Sequence, residues 1–411
     1  MSSKEASAVP EKQAYRWVML VLSWLLYFSF GLIYTTLSAV VTPVMKDLNM
    51  TYSQMGFVLG CWQLVYIFSA QPVGLLVDRI GFYKTLLLGS TIIALSSMLR
   101  IFTTSFETLA VYVALFGVGG PMISIGLPKL AATWFMREER GIASGVYVTG
   151  SIVGSITSLA LTVRITMPAV GNWRNVFLAY SFVGILITVL WMFLGRRSPS
   201  SKRLTTAVQS VEEKSTESVW SLFRNRNIWL IVIIGITSFL TSHGLSNWLP
   251  KIFELKGMTG AEAGFAVSFL NLIGIGGSIF VPRLPYIVKS RKLAISIVLF
   301  VQGLAILGMG VTDGILLWAS IALDGLMRGF MSLLIVTLMD FPEVGSTRMG
   351  AVGGLFFAIG EIGGFGGPFV MGLLKDVTGI FLSGILFLVA ISEASIILVA
   401  LLKVDTESKK D

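Results

Sequence analysis

Apolar stretches of roughly 20 residues or more follow one another along almost the whole chain, and the first of them reads "WVMLVLSWLLYFSFGLIYTTLSAVV" over residues 17–41. A helix of that length crosses a hydrocarbon core of about 30 Å. Inside lipid, every backbone N–H and C=O must find its partner within the segment or around a closed barrel. The length of these stretches and their Gly, Ala and Leu content exclude the alternating strands of ~10 residues that build an outer-membrane barrel. The expected fold class is therefore an all-α integral membrane protein. Spans are placed at residues 15–42, 53–77, 83–101, 106–135, 140–165, 173–196, 226–253, 260–282, 292–312, 314–340, 345–374 and 378–403, twelve in all.

Charge sets the orientation. Only 13% of the 411 residues are charged, against about 25% in a soluble domain. The net charge of +9 could suggest nucleic acid, but the cations are not clustered on one segment. Arg79, Lys84, Arg137, Arg140, Arg196, Arg197, Arg283, Lys289, Arg291, Lys292 and both tails alternate with loops that hold far fewer. That asymmetry is the positive-inside rule, so both termini are expected in the cytoplasm and the protein in the cytoplasmic membrane, with no nucleic-acid partner. The single cysteine, Cys61, lies in an apolar run. It excludes an intramolecular disulfide, a zinc cluster and a haem attachment, and no cofactor is expected. The N-terminal "MSSKEASAVPEKQAYR" lacks the apolar core and cleavage site of a signal peptide.

The chain divides into a tail (1–14), a first six-helix half (15–196), a hydrophilic linker (197–225), a second half (226–403) and a second tail (404–411). The halves repeat each other. Met50-Thr51 and Gly56-Phe57 match Met258-Thr259 and Gly264-Phe265, each at an offset of 258 − 50 = 208 residues. "RGIASGVYVTGSIVGS" (140–155) is echoed by "RMGAVGGLFFAIGEIGG" (348–364). Such duplication predicts two pseudo-symmetric six-helix bundles and a transporter whose site lies between the repeats, near the bilayer midplane.

"GLLVDRIGFYK" (74–84), between the second and third spans, resembles the loop signature G-x-x-x-D-R-x-G-x-x-[KR] of the major facilitator superfamily, carried here by Gly74, Asp78, Arg79, Gly81 and Lys84. The twelve spans and the central hydrophilic linker extend the resemblance over essentially the whole chain. In that family the loop is thought to latch one conformation. The equivalent loop of the second half, "VPRLPYIVKSRK" (281–292), lacks the Asp and Gly, so an asymmetric latch is expected. "NWLPKIFELKGMTGAEAGFAVSF" (247–269) and "LRIFTTSFETLAVYVALFGVGG" (99–120) look like the cyanate and nitroimidazole permease branch and related small organic anion porters. The fifth span lacks the Gly-Pro pair that marks many drug and proton antiporters. No enzyme signature is found: "GEIGGFGGP" (360–368) lies inside an apolar span, where small residues let helices approach closely, and no Walker-type phosphate loop is present.

The most informative stretch is "ALDGLMRGF" (322–330), which sets Asp324 and Arg328 four residues apart in an otherwise oily span. The midpoint of that span is (314 + 340)/2 = 327, and Glu361 lies beside the midpoint of the next. An ionisable group at such depth costs at least ~2.5 kcal/mol on insertion scales and marks a solute or proton path. A salt bridge fixing span 10 against span 11 is the structural alternative. The resemblance implies that spans 1, 4, 7 and 10 line a central cavity. Tyr34 and Thr35 on span 1, Ser124 on span 4, and His243 and Asn247 on span 7 are polar there, with Lys129 nearer the end of span 4. Gln63 and Asn271 occupy equivalent places in spans 2 and 8 at the offset of 208.

The reading that joins these residues is a monomeric secondary transporter, not an enzyme, that moves a small organic anion by alternating access in symport with protons. Arg328 would bind the anion, because its planar donor fork fits a carboxylate. Tyr34, Thr35, Ser124, His243, Asn247, Gln63 and Asn271 would complete the solute site, and Glu361 or Asp324 would carry the proton. No metal is expected. The alternatives are a proton-driven multidrug exporter with an aromatic, weakly polar cavity, and a transporter-like receptor that binds solute without flux.

Overall fold

The computed structural model describes residues 3–136, 138–197, 225–341 and 344–403. The linker expected at 197–225 lies outside the described residues except at its two ends, and the tail 404–411 lies wholly outside them. The described chain is helical and contains no strand. The helices are α1 (Ser3–Ala39), α2 (Val41–Leu48), α3 (Tyr52–Leu99), α4 (Phe106–Trp134), α5 (Arg140–Leu161), α6 (Met167–Val170) and α7 (Trp173–Leu194). They continue as α8 (Arg226–Leu255), α9 (Gly260–Phe280), α10 (Leu284–Val288), α11 (Arg291–Val311), α12 (Gly314–Met327), α13 (Phe330–Met339), α14 (Gly345–Thr378) and α15 (Leu382–Leu401).

Among the described residues, eleven helical segments are long and apolar enough to span a membrane. One of them, Tyr52–Phe102, has 51 residues, or about 76 Å at 1.5 Å per residue, and is too long for a single crossing. Its continuity is broken at Gly81, where φ is 80° and ψ 158°. Only glycine occupies that region readily. The two parts on either side are the second and third spans, and the count becomes twelve.

The sequence repeat reappears as repeated local structure. Thr51 and Gln54 cap the start of α3 reciprocally: Thr51 N donates to Gln54 Oε1 at 3.0 Å, and Gln54 N to Thr51 Oγ1 at 3.2 Å. Thr259 and Glu262 do the same for α9, at 2.8 and 3.3 Å, a capping box at both ends of the 208-residue offset. Helix contacts repeat as well. A methyl group at Gly150 or Gly154 of α5 would lie 2.4 or 2.1 Å from the carbonyls of Trp24 and Phe28 on α1. One at Gly363 or Gly367 of α14 would lie 2.1 Å from the carbonyls of Ile236 and Leu240 on α8. Both are four-residue glycine spacings that let two backbones touch.

The contacts define two units. The first comprises Met1–Leu37 with Phe68–Glu212, and the second Ser38–Ile67 with Glu213–Asp411. Residues 38–67 belong to the first half by sequence but pack within the second unit. In that unit Gly56 and Gly60 bring α3 against α14, with the carbonyls of Pro368 and Phe365 only 2.4 and 2.7 Å from where a methyl would sit. The apolar core of the second unit gathers Ile231 and Ile234 of α8, Val298 of α11, Leu334 of α13 and Phe356 of α14. The first unit closes around Leu26, Ile33, Phe116, Leu127, Phe177 and Trp191.

Candidate functional site

The span expected at residues 314–340 is one membrane-length segment, Gly314–Met339, with a two-residue break in its hydrogen-bond pattern beside the middle. α12 ends at Met327 with Arg328 as its cap, and α13 starts at Phe330. Gly329 sits in the gap, where a methyl group would lie 2.1 Å from the carbonyl of Gly277 on α9. Arg328 and Gly329 keep right-handed helical torsions, with φ −63° and −68°, so the break is a local lapse in the hydrogen-bond pattern, and the small Gly329 lets α9 approach closely there.

Two polar constellations lie in the second unit. In the first, Asp324 is 1% exposed and faces Arg328, whose Nε donates to Asp324 Oδ2 at 3.4 Å. Gln302 Nε2 of α11 donates to Asp324 Oδ1 at 3.4 Å. Arg328 Nη1 donates to Ser246 Oγ of α8 at 2.9 Å, while Nη2 takes no part in these contacts. Asp324 thus compensates the half-buried guanidinium without occupying its whole donor fork. The ion pair stays within one span. A bridge from Arg328 to Glu361 is not among the described ion pairs.

The second constellation joins three helices. His243 of α8 stacks on Phe239, with ring centroids 5.8 Å apart and planes 12° apart. Its Nδ1 lies 3.2 Å from Gln63 Nε2 of α3, and its Nε2 lies 4.0 Å from Glu361 Oε2 of α14. Gln63 is 0% and Glu361 7% exposed. Gln63 Oε1 and Glu361 Oε2 are buried without a hydrogen-bond partner. Gly364 makes room for the carboxylate: a methyl there would lie 2.2 Å from Glu361 Oε2 and 3.2 Å from Gln63 Cγ. Buried polar atoms are costly when unpaired, which makes this cluster a candidate site.

Other expected residues take different places. Asn247 is held on both sides, accepting from Ser38 Oγ at 2.8 Å and donating to the His243 carbonyl at 2.8 Å. Asn271 is half-buried on α9 and does not meet Gln63's constellation in any described contact. In the first unit, Tyr34 lies among Phe30 and Phe116, with centroids 6.4 and 6.5 Å away. Thr35 bonds Ser155 Oγ of α5 at 2.8 Å, and Ser124 lies 3.5 Å from the Pro121 carbonyl of its own helix.

The loop signature has its own geometry. Asp78 pairs with Lys129 of α4, and in the second unit Arg291 pairs with Asp340 at the end of α13. The second loop keeps a bridge to the end of its span with the charges exchanged. Sequence reasoning missed that bridge, and also Ser246, Gln302, Lys251 and Glu254. Lys251 Nζ donates to Thr42 Oγ1 at 2.8 Å and lies 3.7 Å from Glu254 Oε2, while Thr42 also bonds Glu254. The four-residue steps from His243 to Asn247 to Lys251 were the available signal for this stripe along α8.

The family model for the Major Facilitator Superfamily matches residues 23–368. A probable galactarate/D-glucarate transporter of Bacillus subtilis, GudP, is 25% identical over 97% of this chain and 94% of its own. An uncharacterized transporter of the same organism, YycB, is 24% identical over 87% and 86%, and its nitrite extrusion protein is 22% identical over 90% of each. Among solved structures, a D-xylose-proton symporter superposes with a TM-score of 0.77 at 16% identity, over 96% of this chain and 99% of the other. That last likeness is one of fold.

Proposed function

The chain belongs to the Major Facilitator Superfamily, whose members are transporters and not enzymes, and from that premise we propose that it carries a small organic anion across the cytoplasmic membrane in symport with protons. The observation that supports the anion is Arg328: a guanidinium set at a helix break inside an apolar span, neutralised by Asp324 and positioned by Ser246, with part of its fork uncommitted. A carboxylate is the ligand such a fork fits best. The names of GudP and of a phosphoglycerate transporter protein of Salmonella typhimurium, 24% identical over 56% of this chain, point to the same solute class.

Glu361 is the proposed proton carrier, because its Oε2 is buried without a hydrogen bond and His243 is its one partner among the described ion pairs. Asp324 is already engaged by Arg328 and Gln302. Asn247, Tyr34, Thr35, Ser124 and Asn271 are proposed to shape the solute path rather than to titrate. The halves 15–196 and 226–403 are proposed to be joined by a cytoplasmic linker, with both termini cytoplasmic, and transport to proceed by alternating access.

The test is uptake into proteoliposomes with an imposed pH gradient, using galactarate, D-glucarate, a phosphoglycerate, nitrite and a set of cationic dyes as probes. The expected result is gradient-driven accumulation of at least one organic anion. Dye movement with no anion uptake would replace the proposal with a drug exporter, and binding without flux would replace it with a receptor.

A further inference from the structure

Gln63 carries an unusual burden: it is completely buried, its amide nitrogen faces His243 Nδ1 at 3.2 Å, and its amide oxygen has no partner. With the amide nitrogen set toward Nδ1, as it is here, the amide is the donor and Nδ1 the accepting nitrogen of the ring. The proton of the neutral imidazole then sits on Nε2, which is the nitrogen directed at Glu361 Oε2 from 4.0 Å. The unpartnered oxygens at the two ends of the constellation, Gln63 Oε1 and Glu361 Oε2, thus flank one histidine.

We propose that His243 delivers the coupling proton to Glu361 and that Gln63 sets the ring for delivery by turning its amide over. A proton from the aqueous side, taken up at Nδ1 as Gln63 Nε2 swings away from it, makes both ring nitrogens donors. Gln63 Nε2 can no longer face Nδ1, whereas Oε1 can; the amide rotation gives that oxygen a hydrogen bond and moves the unpartnered position to Nε2. The Nε2 proton then passes to Glu361 Oε2, once side-chain movement of about 1 Å has brought the pair to hydrogen-bond distance. One proton has entered at Nδ1 and one has left at Nε2. The ring is neutral again in the other tautomer, and the carboxylate is neutralised.

The groups around the ring fit this assignment. α14 presents Glu361, the α12–α13 break presents Arg328 with Asp324 behind it, and α3 presents Gln63 and the Trp62 ring, 6.3 Å from the imidazole. Arg328 lies within electrostatic reach of His243, so solute bound there changes the field at the ring. Glu393 of α15 does not take part, since its Oε1 is turned to Gly303 of α11. Gln63 is a positioning residue in this scheme.

The chain contains one histidine, so the full-length protein labelled with ¹⁵N-histidine in lipid nanodiscs gives one Nδ1 and one Nε2 resonance without assignment. At a pH where the ring is neutral, wild type is expected to show Nε2 protonated and Nδ1 bare. Gln63→Leu, which removes the donor, should give a mixture of both tautomers. Gln63→Glu, which can only accept in its ionised form, should put a proton on Nδ1 and carries the test if Gln63→Leu does not fold. A wild-type neutral ring protonated on Nδ1, or a bare Nδ1 in Gln63→Glu, overturns the inference. The scheme rests on proton coupling at Glu361, and that reading fails differently: the tautomers would be as described, yet Glu361→Gln would still accumulate solute against a pH gradient.

Discussion

Arg328 and Asp324 form a pair whose two members carry different loads. Asp324 is sealed from its surroundings while Arg328 is partly open, 18% against 1% side-chain exposure. Truncating the arginine leaves a buried, uncompensated carboxylate, which costs about 3–5 kcal/mol in such pairs. Arg328→Ala alone should therefore lower thermal stability, and Arg328→Ala with Asp324→Asn should recover it. Solute binding should remain lost in both variants, and its recovery in the double variant would remove Arg328 from the site. At this scale the sequence is legible where charge stands out against apolar surroundings: Asp324, Arg328 and Glu361 are marked by their depth, and His243 by being the one histidine, on a span that the family resemblance sets at the cavity. Ser246 and Gln302 are not, because uncharged polar residues are common in membrane spans and only packing shows which of them meet.

Helices were read from hydropathy to within a few residues at most ends, because the membrane imposes their length. The lapse at Arg328-Gly329 is not legible in the sequence, since it is a local loosening of the hydrogen-bond pattern between residues that keep helical torsions, with no proline to announce it. The loop signature illustrates both sides of this limit. Its two glycines look alike in the motif, yet Gly81 has φ 80° and ψ 158°, whereas a methyl group at Gly74 meets nothing within 4 Å. Gly81→Ala should cost about 1–3 kcal/mol from backbone strain alone, read as a lowered unfolding temperature in detergent. Gly74→Ala should leave that temperature unchanged. Equal effects of the two substitutions would mean that the motif does not depend on backbone conformation at Gly81.

For the whole molecule, the repeat and the loop signature identified the superfamily, but not that residues 38–67 pack with the second unit. That packing depends on which glycine face meets which helix. The Asp78–Lys129 pair is largely exposed, and such pairs contribute at most about 1 kcal/mol. Asp78→Asn should then leave stability nearly intact while slowing turnover, since the loop is proposed to govern the conformational step; unchanged turnover would reduce it to a topology signal. Orientation is open to labelling, because the only native cysteine, Cys61, is buried. A cysteine placed in the 197–225 linker should resist an impermeant reagent applied to intact cells. The central claim, that Glu361 carries the proton which drives anion uptake, is tested most directly by comparing exchange and accumulation in proteoliposomes containing Glu361→Gln. The account predicts that labelled anion still exchanges across the membrane at a rate near that of wild type while a pH gradient no longer concentrates it. Gradient-driven accumulation at the wild-type level by this variant would contradict it.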